Sequence, residues 1–263
     1  MFAAGLSYRE SGPADGPVAL LLHGYPESSY MWEGVMPAIA EAGWRAIAPD
    51  FAGFGDSTPD PPGTWRRHVE AVERFRQELG IERCVPVVHD WGGLIGLRWA
   101  CEYPDAVEAL VISSTGFFPD GKWSGMAKLL KEPGAGEQVI DSLDRDGFAA
   151  VLRQQCPSMT DEALDEYWKA YADDVRRRGQ LELYRSGDFS ELEQYDLARL
   201  GVPVLLVWGE HDEFAPVAGA HRFQRELAAT ELLVVDGARH FVWEDAPKEC
   251  AGALTGFLAR VRD

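Results

Sequence analysis

The chain has 263 residues, 43 of them acidic and 25 basic, for a formal net charge of −18 at neutral pH. A surface of that sign repels phosphate backbones and anionic lipid headgroups, which argues against nucleic acid and membrane surfaces as partners. The most apolar stretch, Val18–Leu22, is far too short to span a bilayer.

Met1 to Arg9 lack the basic start and long apolar run of a secretory signal, so a cytoplasmic protein is expected. The cysteines, Cys84, Cys101, Cys156 and Cys250, are widely separated and form no C-x-x-C pair. They read as free thiols packed like small hydrophobes, and without clustered ligands no metal or other cofactor is expected.

In chain order, Val18–Leu22, Ala46–Ala48, Val85–Val88, Ala109–Ile112, Val204–Trp208 and Leu232–Val235 are short apolar runs that suit strands buried on both faces. Between them, Trp65 to Leu79 sets Val69, Val72, Phe75 and Leu79 on one helical face, Leu94 to Tyr103 is amphipathic, and Pro247 to Arg260 opens with a proline suited to a first helical turn. The alternation predicts an α/β fold, a doubly wound and mostly parallel sheet. It breaks between about Phe117 and Tyr195, where the pattern turns helical and aromatic; Asp161 to Val175 sets Leu164, Tyr167, Trp168, Tyr171 and Val175 on one face. The expected organisation is therefore a core in two parts, 1–116 and 198–263, with a helical lid, 117–197, inserted over the C-terminal edge of the sheet.

The run Val85–Val88 leads directly into His89-Asp90-Trp91-Gly92-Gly93 and then a helix. Glycines just after such a turn let the helix pack close beneath it and push the apex residue, here Asp90, into an exposed, strained position. The competing reading is a plain helix N-cap, a role aspartate fills well. After Val18–Leu22 comes His23-Gly24-Tyr25-Pro26-Glu27-Ser28, an irregular turn from which the backbone amide of Tyr25 could join that of Trp91 in stabilising a developing negative charge. Late in the chain, Asp212 follows Val204–Trp208 and His240 follows Leu232–Val235. The order is nucleophile, acid, base, with Asp212 preferred over Glu210 because it has the reach of a short loop. His23, His68, His89, His211 and His221 read as turn, core or surface residues.

The ordered set HGYPES, DFAGFGDS, HDWGG, WGEHD and ARHF resembles the α/β-hydrolase superfamily, specifically its epoxide hydrolase and haloalkane dehalogenase branch. In that branch the elbow nucleophile is an aspartate commonly followed by tryptophan, matched here by Asp90 and Trp91. A carboxylate attacking an acyl carbon gives a labile anhydride, whereas attack at a saturated carbon gives an alkyl ester that stands until an activated water reaches its carbonyl. The expectation is a small, largely apolar substrate and water. An epoxide needs an acidic hydroxyl at its leaving oxygen, and a halide needs weak donors such as an indole N–H in a dry pocket.

The resemblance divides between these two. Leu183-Tyr184-Arg185 and Lys131-Glu132-Pro133-Gly134 are similar to the lid of epoxide hydrolases, which implies Tyr184 as a ring-opening acid. The position of the second such tyrosine holds Met126, leaving Tyr167 or Tyr171 to supply it. Ser28 to Trp32 and Ala48 to Gly55 look more like dehalogenases, in which Trp91 would hold one side of a halide and Trp123 or Trp168 the other. Epoxide hydrolysis is the leading expectation, dehalogenation the alternative, and a non-catalytic small-molecule receptor a remote third.

Overall fold

The computed structural model describes residues 1–123 and 125–262. Its described strands are β1 (Phe2–Ala3), β2 (Leu6–Ser11), β3 (Val18–Leu22), β4 (Arg45–Pro49), β5 (Cys84–His89), β6 (Leu110–Ser113), β7 (Val204–Gly209) and β8 (Thr230–Val235). They form one sheet in the order β1-β2-β4-β3-β5-β6-β7-β8, in which β2 runs antiparallel to both its neighbours, β1 and β4, and β3 to β8 run parallel to one another. The strands read as apolar runs are β3 to β8. The first two were not legible: β2 reads LSYRES, is only half-buried over most of its length, and pairs with β4 as an antiparallel strand that need not be apolar on both faces.

Helices α1 (Met36–Glu41), α2 (Trp65–Glu78) and α3 (Trp91–Glu102) belong to the first part of the chain, and α9 (Ala218–Glu226), α10 (Val242–Asp245) and α11 (Pro247–Arg262) to the last. Between β6 and β7 lie α4 (Gly125–Lys131), α5 (Ala135–Ser142), α6 (Arg145–Gln155), α7 (Asp161–Trp168) and α8 (Asp174–Ser186), with no strand among the described residues there. The single helix expected from Asp161 to Val175 is in fact two. The carboxylate of Asp173 accepts the Arg176 amide at 2.9 Å and starts α8 afresh, so Val175 falls on its outer side and is 51% exposed.

The sheet order positions the chemistry. From β3 the chain steps to β4 on one side and then to β5 on the other, and the crevice beyond the carboxyl ends of two such strands is where open α/β sheets bind ligands. Leu22 lies level with Val88, so the loops starting at His23 and at His89 leave the sheet side by side. Gly209 lies level with Val235, which brings the loops carrying Asp212 and His240 together at the same edge.

Candidate active site

Asp90 stands between β5 and α3 with φ 48° and ψ −119°, in a region few L-residues adopt. The turn is held by bonds to the Asp90 carbonyl from the Gly93 amide at 2.8 Å and the Thr115 hydroxyl at 2.7 Å. A Cβ on Gly92 would collide with the carbonyls of Leu22 and His23, and one on Gly93 with the Thr115 side chain. Helix α3 can sit this close to the end of β3 and to Thr115 beyond β6 only because those two positions carry no side chain. The Asp90 carboxylate does not cap the helix it precedes. Instead its Oδ1 accepts the Tyr25 amide at 2.8 Å, its Oδ2 lies 3.6 Å from Nε2 of His240, and the side chain is 25% exposed.

His240 is buried, and its Nδ1 lies 3.0 Å from both oxygens of Asp212. A carboxylate only accepts, so Nδ1 carries the proton. Asp212 Oδ1 also accepts the amides of Phe214 at 2.9 Å and Ala215 at 2.8 Å, which fix its rotamer. Burial opposes charge on both partners. For Asp212 the imidazole, then the Ala215 amide and the Ser114 hydroxyl, outweigh it and hold the carboxyl below its ordinary value. For His240 the carboxylates of Asp212 and Asp90 outweigh it and push the imidazole up to about 10. Glu210, the rival acid, is exposed and accepts the Gly237 amide at 3.1 Å.

Aromatic side chains from the β6–β7 segment pack on Tyr25 and on Trp91, the residue after Asp90. The Tyr184 ring stands edge-to-face on Tyr25 at 4.9 Å and on Trp91 at 5.2 Å, and Trp91 stacks on Trp123 at 5.3 Å. The Tyr25 hydroxyl is 2.7 Å from that of Tyr171. Burial, then Tyr25 and the Asp90 charge, raise the Tyr184 phenol well above its ordinary value, while the Trp91 indole pulls the other way.

Other expected lid residues point elsewhere. Tyr167 donates to Glu244 Oε1 at 2.6 Å, and its phenol feels the charges of Glu244 and Glu27. The Trp123 indole N–H is spent on the Gly187 carbonyl at 3.1 Å. Trp168 stacks on Tyr171 at 5.1 Å. Met126 is 47% exposed and is corrected from a site residue to a surface one, because α4 meets the protein through its last turn, where Leu130 is buried and Lys131 donates to the Tyr184 carbonyl at 2.8 Å.

A sequence profile described as the alpha/beta hydrolase fold matches residues 17–247. This chain belongs to the α/β-hydrolase fold family. A haloalkane dehalogenase of Mycobacterium marinum is 33% identical over 94% of this hydrolase and 86% of its own length. A cis-3-alkyl-4-alkyloxetan-2-one decarboxylase of Xanthomonas campestris is 28% identical over 97% and 92%, and an epoxide hydrolase 3 of Siraitia grosvenorii 28% over 97% and 95%. The solved haloalkane dehalogenase DbeA of Bradyrhizobium elkani superposes with a TM-score of 0.84 at 25% identity, covering 98% of this chain and 94% of that one. The hydrolase thus falls in the branch of the family that holds dehalogenases and epoxide hydrolases. No helix among its described residues is long and apolar enough to cross a membrane.

Sequence reasoning passed over two buried acids in this hydrolase. Glu27 is fully buried, takes the Gly24 amide on Oε2 at 3.0 Å and lies 3.6 Å from Nε2 of His89. Burial, then Glu244, raise it well above the ordinary carboxyl value, and burial pushes Glu244 up to about 7. A glutamate within HGYPES carries no sign of its partners, since Glu244 and Tyr167 come from distant segments. The phenol of Tyr25 was also passed over, because only its amide had a reason to face the site.

Proposed function

We propose that this hydrolase opens a strained oxygen ring, an epoxide, by attack of Asp90 on a saturated carbon, and hydrolyses the resulting alkyl ester with water activated by His240. The observation that carries this reading is the Asp90 carboxylate, which leaves its helix uncapped and instead spans the Tyr25 amide and the His240 imidazole. Oδ2 is the attacking atom, and Oδ1 becomes the ester carbonyl oxygen beside the Tyr25 amide, with the Trp91 amide as the second donor when water adds. Asp212 keeps the His240 tautomer and steadies the imidazolium. Segment 117–197 serves as the lid over a small apolar substrate.

The charge pattern supports a two-step order. While Asp90 is anionic, His240 holds its proton and cannot act as a base. Alkylation removes that anion, lowers the imidazole's proton affinity and readies it for water.

Among leaving groups, oxygen is favoured by the phenols of Tyr184 and Tyr25, which both feel the charge of Asp90, with the Tyr171 hydroxyl 2.7 Å from that of Tyr25. The alternative is dehalogenation, favoured by the name of the Mycobacterium marinum relative and by the indole of Trp91. Against it, the Trp123 indole already donates to a carbonyl. Offering 1,2-epoxyhexane and 1-bromohexane in parallel tests the choice: diol formation supports the epoxide, and halide release without any diol overturns it. In heavy-oxygen water under single turnover, the label should enter the Asp90 carboxylate; label found directly in first-turnover product would remove Asp90 from its role.

A further inference from the structure

We infer that Tyr25 acts twice in this site: its amide serves the carboxylate oxygen of Asp90, and its phenol donates a proton to the leaving oxygen as a second acid beside Tyr184, positioned by Tyr171. The inference rests on the oxygen-leaving-group reading above. Its starting point is a gap, since the lid position expected to carry a second acidic hydroxyl holds the solvent-facing Met126.

Three geometric facts point to Tyr25. Its amide bond to Asp90 Oδ1, at 2.8 Å, fixes its backbone at the nucleophile. Its ring meets Tyr184 edge-to-face at 4.9 Å and 89°, and both phenols feel the charge of Asp90. Its hydroxyl is 2.7 Å from that of Tyr171, which is 3% exposed while Tyr25 is only half-buried. Only one hydrogen of the two can lie between these oxygens. If Tyr171 supplies it, the proton of Tyr25 is free for another acceptor. The donated bond also stabilises a Tyr25 phenolate, and accordingly the contact with Tyr171 lowers the Tyr25 phenol against the upward push of burial.

The step balances. Oδ2 of Asp90 forms the bond to carbon, the ring C–O bond breaks with its electron pair left on oxygen, and that oxygen takes the Tyr25 or Tyr184 proton, leaving a phenolate. Once Asp90 is esterified, His240 gives up the proton it held, which restores the phenol through solvent; hydrolysis of the ester then yields the diol, the Asp90 carboxylate and one proton, which His240 takes from water to return to its starting state.

The test is single-turnover kinetics on the intact protein with 1,2-epoxyhexane, resolving alkylation of Asp90 from hydrolysis of the adduct. Tyr25→Phe keeps the amide and removes only the phenol. It should slow alkylation by about 10²-fold, the low end for a positioned acid because Tyr184 remains, and change adduct hydrolysis by less than about two-fold. Tyr171→Phe should slow alkylation by about ten-fold, in the same step only. Tyr25→Phe combined with Tyr184→Phe should lose more than the product of the single effects, since each phenol covers for the other.

Equal slowing of both steps by Tyr25→Phe would mean that the ring merely packs the amide, and unchanged alkylation would mean that Tyr184 works alone; either result overturns the inference while leaving epoxide opening in place. Absence of diol from the wild-type protein would overturn the reading beneath it as well.

Discussion

Nε2 of His240 stands 3.6 Å from Oδ2 of Asp90, beyond hydrogen-bond reach, while Nδ1 of the same ring is held at 3.0 Å by both oxygens of Asp212. One nitrogen is anchored and the other is left with a gap before the Asp90 carboxylate. That asymmetry suits the proposed role of His240 as a base in the second half of the reaction only.

Replacing His240 by Gln should accordingly leave alkylation running and block release. Intact-protein mass spectrometry after exposure to substrate should show one adduct, located on Asp90 by peptide mapping. Asp212→Asn should slow the same release step, because the imidazolium loses its support. Turnover by His240→Gln at the wild-type rate would assign the base elsewhere.

Asp90→Asn removes one of the two anions that raise His240 toward about 10. The imidazole should then titrate at lower pH, and a ring-proton NMR titration of both proteins measures the difference. The sign for stability follows from the same value. Folded His240 binds its proton more tightly than the ordinary value of 6.5, so its contribution is complete below that pH and is lost as pH rises through about 10. Denaturant midpoints measured from pH 6 to 10 should fall less steeply in Asp90→Asn.

Tyr184→Phe should slow ester formation from an epoxide by roughly 10²–10⁴, the scale of a positioned general acid, with Trp91→Phe the milder change because its backbone amide survives. For a bromoalkane the order should reverse, since a halide leaves without a proton and is held by an indole N–H. Stopped-flow measurement of alkylation with both substrates on both variants separates the cases.

His23 sets an acid limit. Its Nδ1 donates to the Gly24 carbonyl at 2.8 Å and its Nε2 accepts the Phe51 amide at 2.9 Å, so the ring is neutral with one defined tautomer. Burial lowers it from 6.5 to about 4. Protonation would set two donors against each other. The stability it contributes is present above about 6.5 and is lost as pH falls through about 4. Melting temperatures should drop across that window, with a shallower slope in His23→Gln; identical slopes would assign the loss to other groups, such as His68, which burial also lowers to about 4.

Gly92→Ala should destabilise the fold by about 3 kcal/mol or more, because the added methyl meets the fixed carbonyls of Leu22 and His23 rather than a movable side chain. Guanidinium denaturation measures the loss. Activity should fall further than stability alone requires, as α3 is displaced and the Asp90 apex with it. Unchanged stability would mean that β3 and α3 can separate freely.

Much of this protein is decided locally along the chain. Apolar runs such as Val18–Leu22 and Cys84–His89 suit strands covered on both faces, and the glycines after Asp90 announce a turn that no side chain could enter. Those features depend on residue type and spacing, so they can be read without coordinates. The early strand β2 could not, because its half-buried residues lack an apolar signal, and the break at Asp173 could not, because a cap competes silently with helical periodicity. Tertiary structure alone decided the pairings. The choice of Asp212 over Glu210 is already legible in the reach of its loop, but the 3.0 Å contact with His240 depends on the register of β7 and β8. Tyr25 finds Tyr171, Tyr167 finds Glu244, and Met126 stays about half exposed, because contacts between distant segments depend on how helices settle on the sheet, which no local pattern encodes.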